Sequence, residues 1–362
     1  MNLKNKLIIL VVLAVSSLFI SSFAHAGMAF AVQPEDQWVA HPLNVSYFAG
    51  SSTVIGYTPT QIRTAYGLPS SGGAGTTIAI IDAYDTPSVN SDLAIFSNEF
   101  GLPAPNDSNF EIYKMPGTIG SDKGWGKETC LDVEWAHAIA PDAKILLVEA
   151  KSPNQNDLLS AVKYARSQPD VVSVSMSWGS NEYSTEKNYD SMFISGYGAV
   201  FFAASGDNGS SEVIWPATSP NVVAVGGTTL NLNHDGTVIS ETGWNGSGGG
   251  ISAYENRPTY QTNYGITSIN RAIPDVSYNA DPHTGVAVYC NSLWYKIGGT
   301  SAGAPQWAAI QALGKSATNT NLYQKAKYSY ASYFRDIITG SNGGFNATVD
   351  YDYVTGLGSP LT

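Results

Sequence analysis

The sequence predicts an α/β fold, with a mostly parallel central sheet and helices on both faces of a single large domain. Two patterns carry this reading: five short apolar runs between residues 76 and 227, and amphipathic segments between most of them. Strands separated by helical crossovers pair in parallel, and strands covered on both faces read as continuous apolar runs. Composition agrees, since 362 residues with 43% apolar side chains provide one large core.

Taken in order, the chain begins with Lys4 and Lys6, an apolar run over residues 7–20, and Ala24-His25-Ala26. This is the pattern of a secretory signal peptide, assigned to 1–26. The run is short for a membrane span and no comparable stretch follows, so a secreted protein is expected, with no membrane attachment after signal removal. Residues 27–58 are polar and aromatic without clear periodicity and read as a short leader or prosegment remnant, leaving 59–362 as the folded domain. The runs "TTIAIID", "AKILLVEA", "VVSVSMS", "GAVFFAAS" and "NVVAVGG" are the expected buried strands, and 91–99, 127–139 and 155–167 the expected helices. Beyond about residue 228 the pattern loosens into Gly-rich loops and short β segments, a helix after Ser301, and a Gly/Asn/Asp-rich tail. No internal repeat is present.

A formal net charge of −11 with only 13% charged residues argues against nucleic acid as a partner and suits an extracellular, acid-tolerant protein. Export permits a disulfide between the two cysteines, Cys130 and Cys290; two buried free thiols fit the sequence equally well.

Ligands of open α/β sheets sit beyond the carboxyl ends of the strands. Asp82 ends the first run, Ser177 the third, and Asp207 follows the fourth. One polar residue there is commonly a turn former; three at one edge suggest a site. Ser301 opens the helical segment "SAGAPQWAAI", where it is either an N-cap or a nucleophile. A nucleophile needs a proton acceptor. Histidine is scarce: His25 leaves with the signal, His41 lies in the leader, and His234 and His283 are in loops. Only His137 falls on a helix, "GKETCLDVEWAHAIAP", expected from Lys127 until Pro141 ends it. At about 100° per residue, Asp132 lies about 40° round from Glu128 and one turn on, whereas His137 points to roughly the opposite side. His137 is therefore read as a satisfied core or surface histidine. Two acids facing one cleft cannot both ionise cheaply, so one keeps a proton to higher pH. Such a pair accepts a serine proton below neutral pH. Asp207, in "FFAASGDNGSSE", is either a turn former or a protonated donor to a developing oxyanion.

The segments "ETCLDVEWAHAIAPDAKI", "FFAASGDNG", "NVVAVGGTTL", "GGGISAYENRPTYQ", "PDVSYNADPHTGVAVY", "GGTSAGAPQWAA" and "FRDIITGSNG…DYDYVTGLGSP" occur in this order from about Tyr57 onward. As an ordered set they resemble the sedolisin family, the serine-carboxyl peptidases. The resemblance implies a subtilisin-like fold and acid endopeptidase activity on a protein or peptide substrate, by a monomer. Carried onto matching positions, it implies Ser301 as nucleophile, Glu128 as general base, Asp132 as its carboxylate partner, Asp207 as oxyanion donor and Asp82 as an orienting acid. Ser177, Trp178 and Gly179 match the strand that lies along the substrate backbone. One structural calcium ion (Ca2+) is implied as well, held by the carboxylates of Asp336 and Asp352 and main-chain oxygens of Ile337, Thr348 and Asp350. Departures from the family pattern are Thr348 and Asp350 where glycine is usual, Gly298 where serine is usual, and a short leader where a long prosegment is common. Two other readings stand beside this one. The first is a neutral subtilisin-type peptidase using Asp82 and a histidine, and the second a catalytically inactive peptide-binding protein on the same scaffold.

Overall fold

The computed structural model describes residues 38–44, 49–117 and 120–362, and all of these fall in one compact unit. The expected signal peptide lies outside the described residues. The central sheet has eight strands: β1 (Thr77–Ala83), β2 (Phe110–Lys114), β3 (Lys144–Ala150), β4 (Val171–Met176), β5 (Val200–Ala204), β6 (Val222–Leu232), β7 (Val238–Gly243) and β8 (Val276–Asn279). Their order is β7-β6-β5-β4-β1-β3-β2, with β8 also paired to β6. All pairings are parallel except β7 with β6. Each of the five expected strands is present.

Alternation along β1 explains how the sheet is covered twice. Ile78 and Ile80 join a core with Leu131 and Trp307, while Ala79 and Ile81 join another with Leu158 and Val162. Those partners belong to helices α2 (Lys123–Ile139) and α4 (Gly303–Ile310) on one side and α3 (Gln155–Ala165) on the other. Helix α1 (Val89–Phe100) packs against α2. The α2 helix starts earlier than its apolar pattern suggests, because the Asp122 side chain caps it by accepting the amides of Gly124 and Trp125 at 2.8 and 3.0 Å. Pro141 follows its end, as expected.

Cys130 of α2 is disulfide-bonded to Cys290, with the Cα atoms 5.9 Å apart, within ordinary disulfide reach. This closes the question the sequence left open. The bond ties α2 to a hairpin formed by Val286–Cys290 and Leu293–Ile297. Among the described residues no helix is long and apolar enough to cross a membrane.

Candidate active site

Three elements bring the expected residues together. Helix α2 contributes Glu128 and Asp132 from one face, the carboxyl end of β1 contributes Asp82, and the tight turn Thr300–Ala302 ahead of α4 contributes Ser301. All four are fully buried. Asp132 Oδ1 accepts the Ser177 hydroxyl at 2.8 Å, and Glu128 Oε2 accepts Asn44 Nδ2 at 2.7 Å. The Ser301 hydroxyl donates to the Ser177 carbonyl at 3.3 Å and lies close enough to Glu128 to favour its charged form. Hydrogen bonds of this kind are commonly long before substrate tightens them.

Burial is the first reason why these acids hold protons. It raises Glu128 well above the usual carboxylate range, and the nearby Asp82 adds to the effect. Asp132 is raised for the same reasons, and a hydrogen bond to Glu128 favours its protonated form. Asp82 is pushed up to about 8 by burial, against the pull of the Thr129 hydroxyl and with the help of Glu149. Among the described residues, Glu128 Oε1 and Asp132 Oδ2 are buried without a conventional donor in hydrogen-bonding distance. A carboxyl proton shared within the trio is the donor that satisfies them. Two donors, Asn44 and Ser301, favour a charged Glu128, whereas one, Ser177, favours a charged Asp132.

Asp207 follows β5 in the loop over the same cleft. Its Oδ1 accepts both the amide and the hydroxyl of Thr300, at 2.7 and 2.9 Å. Burial pushes its carboxyl up to about 7 despite those two bonds. With Oδ1 engaged, an acid proton belongs on Oδ2. A methyl carbon on Gly299 would lie 2.7 Å from that oxygen, and Gly299 has a φ of 102°, so glycine is required there twice over. Glu212 anchors the loop by accepting the Asp207 and Asn208 amides at 2.9 and 3.1 Å. The grip of Thr300 on Asp207 was not read from the sequence, although the two residues lie beside motifs that were.

Ser177 and the strand Trp178–Asn181 run beside the turn that carries Ser301, whose hydroxyl reaches the Ser177 carbonyl. Trp178 is buried and its indole donates to Ile81 O at 2.8 Å, so its side chain packs in the core. His137 is buried away from this site with Nε2 2.8 Å from Pro103 O, and burial lowers its pKa. It is the satisfied histidine the helical geometry required. His41 faces Glu212 at 3.6 Å and His283 faces Asp281 at 2.9 Å.

The five positions named for calcium lie on two loops near the C-terminus. The Asp350 amide donates to both Asp336 oxygens at 3.2 Å. Asp352 accepts the amides of Thr348, Val354 and Thr355 and the Thr355 hydroxyl at 2.7–3.1 Å. Asp350 binds the Tyr264 hydroxyl and has a φ of 72°, a conformation in which glycine would be at ease. The five positions bring together two carboxylates and three main-chain carbonyl oxygens, a donor set that suits a hard cation, and here amide donors engage both carboxylates.

A buried serine backed by a carboxyl trio on an α/β sheet defines a class. The subtilase family matches residues 116–352, and the chain belongs to that family. Within that class, the sedolisin resemblance drawn from the ordered motifs holds. Sedolisin of Pseudomonas sp. (strain 101) is 30% identical over 88% of this chain, and kumamolisin of Bacillus sp. (strain MN-32) is 33% identical over 86%. The chain spans 63% of the length of each. A solved structure of Pseudomonas sedolisin, a serine-carboxyl proteinase complexed with pseudo-iodotyrostatin, superposes with a TM-score of 0.74 at 29% identity. That match covers 85% of this chain and 96% of the other.

Proposed function

We propose that the protein is a secreted, acid-acting serine-carboxyl endopeptidase that hydrolyses peptide bonds of proteins through an acyl-enzyme on Ser301. The observation that carries this reading is the convergence of Ser301 with three buried carboxyls, in a cleft where acid protons take the place of a histidine. Glu128, charged while Asp132 and Asp82 keep protons, takes the Ser301 proton as Oγ attacks the substrate carbonyl. The oxyanion then draws on the Ser301 amide and the Asp207 carboxyl proton; a charged Asp207 would oppose it. Glu128 passes its proton to the leaving amine, and water completes the cycle by the same route. Ser177, Trp178 and Gly179 hold the substrate backbone.

Export is supported by the N-terminal pattern and by the disulfide. A structural calcium ion belongs to this proposal only in a form of the C-terminal loops that gives up the amide bonds on Asp336 and Asp352; it enters no step of the chemistry.

Ser301→Ala and Glu128→Gln are each expected to lower peptide turnover at acid pH by about a thousandfold or more, with the circular dichroism spectrum unchanged. Full activity in either variant sinks the assignment. Activity of the parent chain falls as pH rises through about 7, where Asp207 loses its proton. A neutral triad with a histidine base gives the opposite slope.

A further inference from the structure

Asp207 is held from two sides. Thr300, the residue before Ser301, grips its carboxyl, and Glu212 grips its main chain. Glu212 is only 6% exposed. One of its oxygens, Oε2, accepts the Asp207 amide at 2.9 Å and both the amide and the side-chain nitrogen of Asn208 at 3.1 Å. The carboxylate lies so near the chain it holds that a methyl carbon on Gly206 would be 2.7 Å from Oε2. The Gly206 amide in turn donates to the Thr300 hydroxyl at 3.1 Å. Just beyond Glu212, Ile214 and Trp215 pair with Asn181 and Ser180 on the strand that begins at Trp178. The loop is thus clamped between that strand and the turn that carries the nucleophile.

Shape alone would ask only for an acceptor at this point, and a neutral amide oxygen would serve. Three donors converging on one buried oxygen suit a charged one. Burial by itself would raise Glu212, but the His41 ring, 3.6 Å from Oε1, and the loop amides outweigh it and hold the acid below its ordinary value. Glu212 therefore carries its charge throughout the range in which Asp207 gives up a proton. The charged and titratable groups that face Asp207 are Glu212 in its own loop, His41 from the N-terminal segment and Glu128 on α2. Glu212 favours the protonated Asp207 carboxyl, and a charged His41 works against it. Glu128 and Asp207 oppose each other's charge.

We propose that Glu212 is a positioning residue for the oxyanion donor: it fixes the main chain that carries Asp207, and its charge keeps the Asp207 carboxyl proton in place up to the alkaline edge of the activity. This rests on the peptidase function proposed above, and in this role Glu212 acts through Asp207. The two contributions are separable. Anchoring needs only an acceptor that reaches the Asp207 and Asn208 amides. Holding the proton needs a negative charge, because a second charge beside the first is what Asp207 avoids by staying protonated. A carboxylate at position 212 does both, whereas an amide there does only the first.

The test follows kcat and KM from about pH 3 to pH 8 on a fluorogenic peptide that the full parent chain cleaves, beside its Glu212→Gln and Glu212→Asp variants. Glu212→Gln keeps an oxygen for the amides and removes the charge. Its turnover below about pH 5 is expected to stay within about threefold of the parent, while the alkaline limb moves down by about half a unit or more. The ratio of its turnover at about pH 8 to that at about pH 4 then falls by about threefold or more. The change belongs in kcat, with KM unmoved, because the oxyanion exists only beyond the ground state. Glu212→Asp keeps the charge on a shorter arm, so activity is expected to drop by about threefold to tenfold at every pH with the limb in place. A limb that stays put in Glu212→Gln overturns the inference, and so does a shift carried by KM alone. Should Glu212→Gln fail to fold, Glu212→Asp decides, since any movement of its limb overturns the role of charge. A parent chain that cleaves peptides beside an unmoved limb leaves the peptidase reading standing. Absence of turnover by the parent chain at every pH overturns that reading itself.

Discussion

Asp275 and Glu128 are both fully buried carboxyls, and the protein neutralises them in opposite ways. Asp275 receives the Arg271 guanidinium on both oxygens, at 2.6 and 3.1 Å, together with the Ala224 amide and the Tyr323 hydroxyl at 2.8 and 2.9 Å. Every lone pair that burial strips of water has a donor. Among the described residues Glu128, Asp132 and Asp82 have no guanidinium or ammonium in contact, and Glu128 Oε1 and Asp132 Oδ2 lack a conventional donor. A buried ion pair is indifferent to mild acid or base, whereas a buried cluster that relies on protons functions only where protons are abundant. The fold is therefore able to build a permanent counterion and leaves it out at the cleft, where a fixed cation would hold Glu128 charged but make it a poor base.

The comparison breaks most sharply at the arginine. Arg271→Met strips Asp275 of its partner and is expected to cost about 3–5 kcal/mol, read from urea unfolding at neutral pH. Loss of less than about 1 kcal/mol would mean that the pair is not what neutralises Asp275.

A second proton-holding cluster sharpens the contrast away from the cleft. Glu186 accepts the Tyr183 amide and the Thr218 hydroxyl at 2.9 and 3.0 Å, and burial with the neighbouring Glu182 pushes it up to about 10. An acid whose folded pKa is raised adds stability that is complete below its unfolded pKa and lost as pH rises towards the folded value. Stability of the parent chain should therefore fall from pH 4 to pH 8. Glu186→Gln, which cannot ionise, is expected to gain about 1–2 kcal/mol over the parent at pH 8 and nothing at pH 4, read as melting temperature.

At the cleft, Asp82 raises the pKa values of both Glu128 and Asp132. Asp82→Asn removes that repulsion, so the remaining pair loses its shared proton sooner. The alkaline limb of the pH–activity profile should move down by about one unit, with a loss of about tenfold at the parent optimum. A purely structural role would lower activity without moving the limb.

The smallest expected effect concerns the C-terminal acids, which resemble Asp275 in being supplied with donors. Calcium at fixed pH is expected to raise the melting temperature by about 2–4 °C, and a chelator to reverse it. An unchanged melting temperature removes calcium from the reading.

Much of the sheet was legible because strands covered on both faces leave continuous apolar runs such as "TTIAIID" and "AKILLVEA". The edge strand β2 escaped, since Glu111 and Lys114 face solvent and interrupt any run. Strand β8 escaped for a different reason: its four residues, "VSYN", are too short for a periodic signal. Glu128 and Asp132 were legible because helical geometry needs only their spacing. Asn44 was not, because a cross-chain hydrogen bond from an aperiodic segment leaves no local trace. The two cysteines sit 160 residues apart, a separation from which no pairing can be deduced.

Cys130 lies between Glu128 and Asp132 on the same helix, so the sulfur bridge is fastened to the very turn that carries the proton pair. Material produced in a reducing cytosol would leave that turn untethered from its hairpin. The oxidation state of a preparation is therefore a property to establish before its turnover is compared with that of another.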